Sequence, residues 1–131
     1  MTKKTILVVD DDPGALECVH EILIRHGYES IPCSNGSAGL ALLASGTALD
    51  LVITDLNMPG MNGMEFHARI KQQRPELPCI MVTGHTSVES YLSAVSSGVY
   101  EYLSKPYRAS ELKTVVASAL DKSAKIPYGL L

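Results

Sequence analysis

Five short apolar runs alternate along this chain with five stretches of helical spacing, and that alternation restricts its fold more than any other feature. The runs Thr5–Val9, Tyr28–Cys33, Leu51–Ile53, Pro78–Thr83 and Tyr100–Ser104 are rich in β-branched and aliphatic residues. Gly, Pro, Asp and Ser bound them, as they bound strands. The helical stretches carry apolar residues three or four positions apart: Leu16, Val19 and Leu23; Leu40 and Leu43; Phe66 and Ile70; Val88, Leu92 and Val95; Leu112, Val115, Val116 and Ala119. Strands that alternate with helices predict one doubly wound α/β domain, a parallel sheet with helices on both faces. Right-handed crossovers then bring every strand's carboxyl end to one edge.

Local signals punctuate the elements. Asp12 is a good N-cap and Pro13 suits the first helical turn, with Gly27 as the stop. Pro32 puts the second strand toward a sheet edge. Asn35 or Ser37 can cap the second helix, which Gly46 closes. The third helix spans Met64 to Gln73 and ends before Pro75, the fourth spans Ser87 to Ser97 before Gly98, and Ser110 can cap the fifth. Residues 1–124 read as the domain, and 125–131 as a tail or the start of a linker without clear structure.

The net charge of −3 and the scattered Lys and Arg give no basic stripe, so direct nucleic-acid contact is not expected. No apolar run reaches the roughly 18 residues a membrane span needs, and no leader opens the chain, so a cytoplasmic location is expected. Cys18, Cys33 and Cys79 lie in apolar contexts and read as buried structural thiols.

The convergent edge carries the chemistry. Asp10, Asp11 and Asp12 follow the first strand, Asp55 the third, Thr83 ends the fourth, and Lys105 follows the fifth. Carboxylates gathered so closely repel, and a cation among them relieves that. Hard oxygen ligands suit Mg²⁺, which pairs naturally with a phosphoryl group. A hydroxyl at Thr83 and an ammonium at Lys105 can hold further phosphoryl oxygens, and an Asp carboxylate can be the nucleophile. The chemistry expected is Mg²⁺-dependent phosphoryl transfer onto an aspartate.

Val8-Val9-Asp10-Asp11, Asp55-Leu-Asn-Met-Pro-Gly-Met-Asn-Gly63, Thr83-Gly84 and Tyr102-Leu-Ser-Lys105-Pro106 together resemble the receiver domain of two-component response regulators over nearly the whole chain. The resemblance implies a flavodoxin-like sheet of order 2-1-3-4-5. It implies that Asp55 accepts a phosphoryl group from a histidine kinase or phosphotransfer protein. Asp11, Asp55 and the backbone carbonyl of Asn57 would ligate Mg²⁺, with Asp10 acting mainly through water. Thr83 and Lys105 would contact the phosphoryl oxygens. Thr83 and Tyr102 would then switch the face made by helix 4, strand 5 and helix 5, which acts on an effector protein, a fused output domain or a second copy of the chain. The peptide before Pro106 would be cis. Asn57 and His85 occupy positions whose side chains tune acyl-phosphate lifetime in that family, and Tyr91, Tyr100 and Tyr107 would lie near the output face.

Two other readings compete. A phosphatase of the haloacid dehalogenase type would use Asp10 as nucleophile and Asp12 as acid/base, but Gly14 stands where a Thr or Val is expected. A flavodoxin-like cofactor module would need a Ser/Thr/Gly-rich phosphate loop after the first strand, where three acids stand instead.

Overall fold

The computed structural model describes residues 3–84 and 86–121. Five parallel strands form one sheet: β1 (Thr5–Val9), β2 (Glu29–Cys33), β3 (Leu51–Asp55), β4 (Cys79–Thr83) and β5 (Glu101–Ser104), in the order β2-β1-β3-β4-β5. The helices are α1 (Pro13–Arg25), α2 (Gly36–Ala44), α3 (Gly63–Gln73), α4 (Val88–Ser96) and α5 (Ala109–Leu120). This is the doubly wound, flavodoxin-like arrangement that the strand–helix alternation and the family resemblance predict.

The strands read as continuous apolar runs because both faces are covered. Ile6, Val8, Ile53, Ile80 and Val82 point to the layer holding Val19 and Leu23 of α1 and Leu112 and Val116 of α5. Leu7, Val9 and Val52 point the other way, onto Leu43 of α2 and Phe66 and Ile70 of α3. Phe66 is fully buried, a burial that contributes roughly 2–3 kcal/mol. A Cβ on Gly39 would stand 2.9 Å from Phe66 Cζ, so the glycine lets α2 approach α3. Met81 of β4 and Val99 form a smaller third cluster with Ala94 of α4.

The caps mostly follow the sequence signals. Asp12 accepts the Gly14 N–H at 3.1 Å, and of the two candidates for α2 it is Asn35 that accepts, from the Ala38 N–H at 2.8 Å. Asn62 and Glu65 satisfy each other's backbone N–H groups at the start of α3.

Three expectations need correction. Ser110 does not cap α5: the helix starts at Ala109, two residues before the start a Ser110 cap would give, and the Arg108 N–H donates to Glu111 Oε1 at 2.8 Å. Cys18 is exposed on α1 and Cys33 only half-buried, so Cys79 alone fits the buried-thiol reading. Tyr107 packs against the α1–α5 core layer, in a groove beside Cys18 and Ile22 of α1. The stripe at Val88 and Leu92 is present on α4, but these residues are 76% and 58% exposed and bury nothing of their own helix. No helix among the described residues is long and apolar enough to cross a membrane. The tail expected at 125–131 lies outside the described residues.

Candidate functional site

Strand β3 ends in Asp55, and the chain then turns sharply back. The Gly63 N–H donates to the Leu56 carbonyl at 2.8 Å, which folds the 56–62 loop under the start of α3. A Cβ on Gly63 would collide with the Asp55 carbonyl and stand 2.8 Å from Leu56 Cα, so only glycine allows this approach. The loop thereby brings the Asn57 backbone N–H toward the Asp55 carboxylate, while the Leu56 N–H donates to the Val82 carbonyl at 3.2 Å.

Asp10 follows β1, the strand next to β3, and is 5% exposed. Its Oδ1 accepts the Asp12 N–H at 2.9 Å, so Asp12 serves the backbone and the α1 cap. Asp10, Asp11 and Asp55 each offer a carboxylate oxygen within 4.8 Å of the others. Lys105 reaches the same edge after β5, its Nζ 3.2 Å from Asp10 Oδ2 and 3.8 Å from Asp55 Oδ2. The Lys105–Pro106 peptide is cis. Thr83, fully buried at the end of β4, has its Oγ1 3.3 Å from Asn57 Nδ2, which donates to it.

Burial pushes the Asp55 carboxyl above its ordinary range, and the neighbouring Asp10 adds to the push. Lys105 and the backbone N–H groups of Asn57 and Leu56 oppose it. The balance leaves a carboxylate whose negative charge is under-compensated. Three hard oxygen donors around such a charge suit a small divalent cation, so the chemistry of the donor set fits Mg²⁺.

Asp10, Asp11, Asp55, Asn57, Thr83 and Lys105 thus converge on one edge, as the topology argument requires. Tyr102 stands apart on β5, half-buried beneath α4, with its hydroxyl 2.7 Å from Ser90 Oγ and its ring edge-on to Tyr91. Tyr91 is the tyrosine expected near the output face, whereas sequence reasoning does not single out Ser90. Ser90 three positions after Ser87 is a short form of a capping box, but nothing in the chain ties it to Tyr102. His85 lies outside the described residues.

Known proteins resemble this one in sequence and in structure. The model of the response regulator receiver domain family matches residues 6–117. The transcriptional regulatory protein GlrR of Escherichia coli is 37% identical over 119 residues, 91% of this chain and 27% of GlrR. The DNA-binding transcriptional regulator NtrC of Rhizobium meliloti is 35% identical over 130 residues, 99% of this chain and 27% of NtrC. The chain therefore spans about a quarter of the length of these curated relatives. A CheY-like receiver domain protein from Methanospirillum hungatei superposes with a TM-score of 0.87 at 31% identity, covering 92% of this chain and 96% of that one. NtrX from Brucella abortus superposes with a TM-score of 0.86 at 34% identity over 93% of this chain and 28% of its own.

The dehalogenase-type alternative finds no support in these relatives, and Asp10, enclosed by Asp12 and Lys105, is poorly placed to attack a substrate. Receiver domains bind Mg²⁺ generally, and the acidic cluster here is of the matching kind. With motifs, sheet order, site geometry and relatives in agreement, this chain belongs to the response regulator receiver domain family and acts as a signalling switch.

Proposed function

We propose that Asp55 is the phosphoacceptor of this receiver. A carboxylate oxygen of Asp55 attacks the phosphorus of a phosphohistidine on a sensor histidine kinase or phosphotransfer protein. The P–O bond forms as the P–N bond breaks, and the imidazole nitrogen leaves with the electron pair and takes a proton from water. Mg²⁺, held by Asp11, Asp55 and the Asn57 backbone carbonyl with Asp10 acting through water, would offset phosphoryl charge. The Lys105 ammonium and the Thr83 hydroxyl bind phosphoryl oxygens, for which Thr83 must turn from Asn57. Tyr102 follows Thr83 and alters the face of α4, β5 and α5. The only chemistry of the domain is its own phosphorylation and slow hydrolysis, whose rate Asn57 and His85 tune.

By analogy with GlrR and NtrC, the partner of that face is a fused output domain. A separate effector or a second copy of this chain are the other candidates. The receiver unit is residues 1–124, working in the cytoplasm. What carries this reading is Asp55 at the end of the central strand, inside an acidic cluster and 3.8 Å from Lys105.

The test is intact mass after incubation with acetyl phosphate and Mg²⁺, beside Asp55→Asn and an EDTA control. One added phosphoryl group, absent in both controls, is expected. An adduct that persists in Asp55→Asn would refute the assignment.

A further inference from the structure

Helix α4 is held to the domain by little apolar burial. Ala94 is its buried residue, while Val88 and Leu92 face outward. Polar contacts therefore carry a larger share of what fixes its first turn. Ser87 is the N-cap: its Oγ accepts the Ser90 N–H at 3.0 Å, and its own N–H donates to Ser90 Oγ at 3.3 Å. That same Ser90 Oγ stands 2.7 Å from the Tyr102 hydroxyl, 3.0 Å from Ser87 Oγ and 3.2 Å from the Ser87 carbonyl.

A serine hydroxyl has one proton to give and two lone pairs to accept with. Ser90 Oγ therefore bridges the Ser87 cap and the Tyr102 hydroxyl, and the Tyr102 hydroxyl holds it in the orientation that serves the cap. Tyr91, next along α4, packs edge-on against the Tyr102 ring with centroids 5.7 Å apart at 89°. The first turn of α4 thus grips Tyr102 at both the hydroxyl and the ring.

We propose that Ser90 is the positioning residue that couples Tyr102 to the capping of α4. Any displacement of the Tyr102 hydroxyl redistributes the hydrogen bonds of Ser90 and changes the stability of the turn that begins at Ser87. The regulatory use of this coupling rests on the receiver reading above, in which phosphorylation displaces Tyr102. The coupling itself is a property of the unphosphorylated protein.

Amide hydrogen exchange followed by NMR on the full chain tests it, first without any phosphoryl donor. Tyr102→Phe is expected to speed exchange of the Ser90 and Tyr91 amides roughly three- to tenfold, the worth of one modest hydrogen bond, with β4 unchanged. Ser90→Ala does the same or more, the double variant adds nothing to Ser90→Ala, and Ser90→Thr, which keeps the hydroxyl, stays near wild type. Wild-type exchange at Ser90 and Tyr91 in Tyr102→Phe, or effects that multiply in the double variant, would overturn the proposal. Beryllofluoride with Mg²⁺ is then added: it should alter α4 exchange in wild type and do so far less in Ser90→Ala, while acetyl phosphate still labels both proteins. An equal response in the two would also overturn it. Coupling without any labelling of wild type would uphold the Ser90–Tyr102 link and refute the receiver chemistry instead.

Discussion

The ammonium of Lys105 stands closer to Asp10, at 3.2 Å, than to the Asp55 carboxylate it shares the site with, at 3.8 Å. The segments that follow β1 and β5 are thereby joined by an ion pair across the ends of β3 and β4. Lys105 is a resident cation at the oxygens a divalent ion would use, and it partly offsets the burial that raises the Asp55 carboxyl.

Lys105→Met should therefore have opposite effects on binding and on chemistry. Removing the ammonium frees the carboxylates, and Mg²⁺ binding by calorimetry should tighten roughly fivefold, a figure discounted for the partial exposure of the lysine. Labelling of Asp55 by acetyl phosphate should slow roughly tenfold or more, because a donor to the developing charge is gone. Weaker Mg²⁺ binding in the variant would contradict the competition argument.

Asp55→Asn should raise the melting temperature at pH 7 without divalent ions. Burial first, and Asp10 second, lift the carboxyl above its ordinary value of 3.8, so ionising it in the folded protein costs stability. For such a group the contribution is fully present below pH 3.8 and is lost as pH rises through the folded value, so the variant's advantage should vanish in acid. Mg²⁺ at tenfold its Kd should return about 1.4 kcal/mol to the wild type. Thermal scans over pH, with and without Mg²⁺, check both statements.

His67 supplies a second pH effect of opposite sign. It is 1% exposed on α3, and its Nε2 has no hydrogen-bond partner among the described residues. Burial, and secondarily the Lys71 ammonium, push the imidazole down to about 4 from 6.5. Charging it is disfavoured in the folded state, so stability is full above pH 6.5 and falls as pH drops toward 4. The loss reaches about 3 kcal/mol at the lower end. His67→Met should flatten this part of the curve in urea titrations; an unchanged slope would locate the titration elsewhere.

Gly63→Ala should lower stability by roughly 2–4 kcal/mol, since the Asp55 carbonyl and Leu56 Cα occupy the space of a Cβ. The displaced loop also carries the Asn57 N–H beside Asp55, so acetyl phosphate labelling should fall with it. Denaturant unfolding and intact mass on the same samples measure the two effects.

The sheet and the acidic edge were legible in the chain because each depends on local punctuation. A buried strand shows as an apolar run, and Asp10, Asp55, Thr83 and Lys105 stand where such runs stop. The misread features depend on what lies across from a residue. Cys18 sits among apolar neighbours in sequence yet is exposed on α1, and Val88 and Leu92 have core-like spacing but stay largely uncovered by the described residues. Ser110 is a better cap by type than Arg108, but Glu111 reaches the free N–H and lets the helix start earlier. The Ser90–Tyr102 contact joins two elements, and no spacing along the chain could announce it.

Edge strand β2 shows how the sheet avoids its own copies. The Asp10 N–H donates to the Cys33 carbonyl at 3.1 Å, so Cys33 faces β1 and Pro32, one residue earlier, faces outward. An outward row that lacks a donor at Pro32 is a poor template for another strand. Pro32 thus acts against edge-to-edge aggregation, and a residue with an N–H and a β-branched side chain at that position would open a seam for fibre growth.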